Sequence, residues 1–108
     1  MTIGDIILIP FPFAEFNQKK VRPAVVITET ADKYKDVVVS AISSVVPSKT
    51  SLREFIVFPG GTNRLRVKSV VKSDRIVTVK REDIIAELGR LEELELKTFK
   101  LILAGMVR

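Results

Sequence analysis

The residue types that this chain lacks narrow its chemistry before those it has. Among 108 residues there is no histidine and no cysteine. Zinc sites built without either are rare, and both thiolate nucleophiles and Ser-His-Asp systems are excluded. Acid–base work must fall to carboxylates, lysines, Tyr34 or hydroxyls polarised by neighbours. Four groups of residues stand out. Arg22 precedes Pro23, which restricts its backbone to extended conformations and so fixes where the side chain starts. By residue type alone it reads as a solvated arginine at a strand start. Ser43 and Ser44 end an apolar run, where hydroxyls serve either turn chemistry or ligand binding. Lys72 and Asp74 lie two apart, which puts both on one face of a strand, as a surface ion pair or as a working couple. Lys19, Lys20, Lys49 and Arg53 are loop cations, suited equally to solvent and to phosphates. No glycine-rich phosphate loop is present, and no acidic cluster suggests a two-metal site.

Charge adds a direction. The chain carries a net +5, unevenly spread: 14 basic against 7 acidic residues through Arg81, then 4 against 6. A basic surface concentrates polyanions and steers them in. Zero cysteines fit a reducing cytoplasm. No stretch has the roughly 18–20 consecutive apolar residues that span a bilayer, so no membrane partner is expected.

These residues need elements to hold them. With no repeat or linker in view, residues 1–108 read as a single domain. Strand signals dominate to about residue 80: Asp5 to Pro10, Pro23 to Thr28, Asp36 to Ser43, Glu54 to Phe58, Ser69 to Ser73 and Arg75 to Val79. Pro23 suits the start of a strand or an edge, where a missing ladder donor costs least. Short, mostly continuous apolar strands predict a mainly β fold, a curled sheet or small barrel covered on both faces. From Glu92 the period changes, and Leu96, Phe99, Leu103 and Met106 fall at helical spacing. Glu92, Glu93 and Glu95 sit where a helix dipole favours negative charge. A C-terminal amphipathic helix packed on the barrel follows.

Four blocks in register carry a resemblance. Gly4-Asp5-Ile6-Ile7-Leu8-Ile9-Pro10, then Val21-Arg22-Pro23-Ala24-Val25-Val26, then Ser40-Ala41-Ile42-Ser43-Ser44, then Ser69-Val70-Val71-Lys72-Ser73-Asp74-Arg75-Ile76 together resemble the MazF/PemK toxins over essentially the whole chain. The resemblance implies a small SH3-like β-barrel with a C-terminal amphipathic helix and a homodimer. It also implies a cytoplasmic endoribonuclease that cuts single-stranded RNA without cofactor or metal. Its partner would be a cognate antitoxin whose flexible acidic tail covers the RNA groove.

Residue by residue, the resemblance implies catalytic roles for Arg22, Ser43 and Asp74. RNA contacts would come from Lys19, Lys20, Ser44, Lys49, Arg53 and Lys72. Ser43 stands where relatives most often carry threonine, and Lys72 where one branch carries arginine. That branch also uses a first-loop histidine, whose place here falls at Phe16-Asn17-Gln18. Either Glu15 or Asp74 then serves as base, or activation is mainly electrostatic. Phe13 and Phe16 suit base stacking or packing. The same fold family includes non-catalytic toxins that dock on DNA gyrase, and a plain nucleic-acid-binding module is a further alternative.

Overall fold

The computed structural model describes residues 1–10 and 20–107. Six strands form one antiparallel sheet: β1 (Asp5–Pro10), β2 (Val21–Glu29), β3 (Val37–Ser43), β4 (Glu54–Val57), β5 (Ser69–Val79) and β6 (Ala86–Arg90). They lie in the order β4-β5-β3-β2-β1-β6, and a single helix, α1 (Glu93–Met106), closes the chain. The sheet curls into a half-barrel.

Strand alternation sends apolar residues to both faces, and each face builds its own core. One cluster gathers Ile7, Ile9, Ala24, Val26, Val39, Ala41 and Val79. The other gathers Ile6, Val25, Ile42, Val57 and Val71 under Phe99 of α1. Burying each Val, Ile or Phe side chain among them stabilises by about 1.5–3 kcal/mol. The expected helical stripe is present: Phe99 is fully buried, while Leu96 and Leu103 pack around it. Glu92 caps α1 in a capping box with Glu95, whose carboxylate accepts the Glu92 N–H at 2.9 Å. Leu94 and Leu101 remain exposed on the helix's other side.

Two glycines are demanded by geometry. Gly4, the glycine of the first block, has φ +93°, and a Cβ there would meet Leu96 Cδ1 at 2.7 Å. A Cβ on Gly89 would lie 2.0 Å from the Thr62 carbonyl oxygen, which also accepts the Arg90 N–H at 2.9 Å. The 59–64 turn thus lies against the outer edge of β6. Buried Asn63 holds that turn together: its Oδ1 accepts the Gly60 and Leu65 N–H groups, and its Nδ2 donates to the Phe58 carbonyl.

The structure redraws the expected strands in three places. The segments Ser69 to Ser73 and Arg75 to Val79 are one continuous strand that bulges. Opposite β3, Ser40 pairs with Ile76 but Ala41 pairs with Lys72, so Ser73, Asp74 and Arg75 are looped out between them. A sixth strand, Ala86–Arg90, has no counterpart among the expected strands. β2 is central rather than an edge. Pro23, the third residue of β2, pairs with Leu8 of β1, while the ladder to β3 begins only at Ala24, so the proline costs no rung on that side.

Candidate active site

Four ladders place the sequence candidates on the sheet. Ile9 pairs with Arg22 between β1 and β2, and Ala24 pairs with Ala41 between β2 and β3. Continuing that register by two residues sets Arg22 level with Ser43. Ser43 pairs with Val70 and Ala41 with Lys72, and on the far side of β5 Lys72 pairs with Glu54. Directly paired residues share a face of a sheet, as do residues two apart. Arg22, Ser43, Lys72 and Glu54 therefore lie on one face, at the end where the row Val26-Ala24 and the row Val39-Ala41 turn polar.

Arg22 is half-buried, and among the described residues no carboxylate lies within ion-pair distance of its guanidinium. Ser43 is half-buried too. Its Oγ accepts the Val45 N–H at 3.1 Å, which leaves the hydroxyl proton free to donate. Lys72 does not pair with Asp74. Its Nζ lies 3.9 Å from Glu54 Oε2, and Asp74 Oδ2 lies 4.0 Å from Arg53 Nη1. The bulge after Lys72 is the reason, because it carries Asp74 away from the Lys72 register.

The other candidates divide. Lys20, Ser44, Lys49 and Arg53 are exposed, with Arg53 next to Glu54 at the start of β4. Lys19, Glu15, Phe13 and Phe16 lie outside the described residues. Sequence reading missed Glu54, although the alternation Glu54-Phe55-Ile56-Val57 sets it opposite to the face that buries Val57. Phe58 and Lys68 were missed as well. Each stands one residue past a strand end, and Lys68 Nζ lies 5.4 Å from the Phe58 ring centroid. That ring is 63% exposed, and alternation puts it on the face of Glu54 and Ile56. Among the described residues no three potential metal ligands come together. No helix among them is long and apolar enough to cross a membrane.

The fold is a curled antiparallel half-barrel with one terminal helix, and it carries a cationic, hydroxyl-bearing patch at one end of its sheet. The chain belongs to the PemK-like, MazF-like toxins of type II toxin–antitoxin systems, whose family model matches residues 2–106. Among solved structures it is similar to an endoribonuclease in complex with its cognate antitoxin from Mycobacterial species, with a TM-score of 0.70. Identity there is 17%, over 97% of this chain and 92% of the other, so this likeness speaks for the fold alone. No curated protein matches the chain.

Proposed function

We propose that this toxin is an endoribonuclease that cuts single-stranded RNA using its own side chains and no metal ion. What supports the reading is that Arg22 and Ser43 each lie two residues beyond the paired Ala24 and Ala41, on the same face of the sheet. When a ribose 2′-hydroxyl attacks the adjacent phosphorus, negative charge grows on the non-bridging oxygens. A half-buried guanidinium meets that charge with paired donors that need no reorganisation. Ser43 donates its hydroxyl to one of the same oxygens. Breaking the bond to the 5′-oxygen leaves a 2′,3′-cyclic phosphate and a 5′-hydroxyl.

Asp74 belongs to the catalytic set by family match and sits beside the Arg53 guanidinium. Lys72, Lys20, Ser44, Lys49, Arg53 and Lys19 contact the RNA backbone, while the exposed Phe58 ring offers a stacking surface for a splayed base. Two copies of the chain pair through the exposed side of α1, the side that carries Leu94 and Leu101. Leu101, Ile102 and Gly105 line a shallow cavity of about 350 Å³ there with Leu52 and Arg53, next to the site. RNA crosses the basic groove between the copies. The antitoxin partner is a chain with a flexible acidic tail, matched to the cationic face it covers.

The test is to incubate wild type and Arg22→Ala with a long single-stranded RNA in EDTA and map the ends. Discrete cuts ending in cyclic phosphate, lost in Arg22→Ala, support the reading. RNA retained uncut by the wild type, or gyrase inhibited instead, overturns it in favour of a binding toxin.

A further inference from the structure

Phe58 and Lys68 end the sheet face that carries Ser43. Ser43 pairs with Val70, and Val70 with Ile56. Lys68 and Phe58 each stand two residues beyond that row, past Val57 and Ser69, the last rung between β4 and β5. Lys68 Nζ lies 5.4 Å from the Phe58 ring centroid, so the two side chains meet on one side of the sheet. The ring is 63% exposed, and among the described residues no carboxylate lies within ion-pair distance of Lys68. The backbone on either side is held. Val57 is fully buried, the Phe58 carbonyl accepts a hydrogen bond from Asn63 Nδ2 at 2.9 Å, and Ser69 Oγ donates to the Val67 carbonyl at 3.0 Å. Phe55, on the opposite face, packs instead against Phe99 of α1.

We propose that Phe58 and Lys68 form a subsite for one nucleotide lying outside the bond that is cut. Its base stacks on the Phe58 ring, and its phosphate meets the Lys68 ammonium. This rests on the ribonuclease reading above. An exposed ring beside a cation suits a nucleotide better than an apolar partner, because a nucleotide brings a π-face and an anion together. β4 lies three strands from β2, about 14 Å along the sheet at the usual strand spacing. The subsite therefore takes a nucleotide away from the reacting atoms, and its effect is on affinity. Stacking accepts every base, so the subsite makes binding depend on RNA length and not on sequence. With the backbone already fixed, little ordering is required when RNA arrives.

The experiment uses one RNA that wild type cuts at a single bond, made uncleavable by a 2′-deoxy sugar there and shortened by single nucleotides from each end. Wild type should lose affinity by about 5-fold to 150-fold at one shortening step, the effect of one stacked base. Phe58→Ala should bind the full-length RNA more weakly by a similar factor and show no loss at that step. Phe58→Tyr should restore both, and Phe58→Leu neither. Lys68→Gln should lower the slope of log affinity against log salt by about 0.7. Phe58→Ala binding the full-length RNA as tightly as wild type, a shortening step that survives in it, or an unchanged salt slope in Lys68→Gln overturns the proposal. Each of these leaves the ribonuclease reading standing, since wild type still cuts the parent RNA. A wild type that cuts no RNA overturns both.

Discussion

The Ser40 hydroxyl donates a 2.8 Å hydrogen bond to the backbone carbonyl of Ser73, at the point where β5 loops out three residues that β3 does not match. Both residues are fully buried. A strand that bulges inside a core leaves polar backbone groups out of register, and each needs a partner. Ser40 supplies one, and the Ser73 N–H finds another in the Arg53 carbonyl at 3.0 Å. A serine among β-branched residues in the middle of β3 is thereby explained. It holds the bend that separates Lys72 from Asp74.

Ser40→Ala should accordingly destabilise the fold by about 1–3 kcal/mol, because it strands a buried carbonyl. Ser73→Ala should do far less. Among the described residues the Ser73 Oγ is buried without a hydrogen-bond partner, so nothing is lost with it. Urea unfolding of both variants checks the contrast: the midpoint should fall in Ser40→Ala and hold or rise in Ser73→Ala, with the slope unchanged. Equal losses would mean that the bulge is held by something other than the Ser40 hydroxyl.

The 59–64 turn yields a second prediction. Asn63→Ala removes three hydrogen bonds from a buried site, and Gly89→Ala drives a methyl into the Thr62 carbonyl. Each should cost about 2 kcal/mol or more. Amide exchange in β6 should rise in both variants, since the turn lies against that edge strand. Unchanged protection of β6 would uncouple the turn from the sheet.

At the far end of β2, Glu29 accepts hydrogen bonds from the Met1 ammonium and from the Arg81 guanidinium, which lower its carboxyl below the ordinary value. The sign follows from that direction. A carboxylate whose folded value is lowered stabilises the fold fully above its unfolded value, about 4.3, and loses that stabilisation as pH falls through the folded one. The gap in melting temperature between wild type and Glu29→Gln should therefore be widest near neutrality and close below about pH 4. Added salt should narrow it as well, the ion pair being partly open to solvent. A gap that is constant with pH would remove the charge from the explanation.

Much of this fold was legible from pattern. The runs Asp5 to Pro10 and Asp36 to Ser43 reappear as strands within a residue, because their apolar β-branched content meets no competing signal. The spacing of Leu96, Phe99 and Leu103 marked the buried side of α1. The failures share a cause. Ser73-Asp74-Arg75 is polar enough to read as a turn between two strands, and only the ladder to β3 reveals a bulge within one. Ala86–Arg90 is short, charged and interrupted by glycine, and the contact that requires Gly89 comes from Thr62, 27 positions earlier. Arg22 and Ser43 became candidates through their place in the blocks. The partner of Lys72 is set by cross-strand register, so neighbouring Asp74 was the expectation and Glu54 the finding.

The central claim is that a guanidinium carries the charge of the pentavalent phosphorus, and one comparison tests it most directly. Wild type and Arg22→Ala, matched for melting temperature and for retention of an uncleavable 2′-deoxy RNA, are followed in single-turnover cleavage of the corresponding RNA in EDTA. Loss of such a donor costs about 100-fold to 1,000-fold in rate. A fall of that size with binding intact, and cyclic phosphate ends on whatever product remains, is the predicted result. A folded Arg22→Ala that cuts at the wild-type rate would contradict the account.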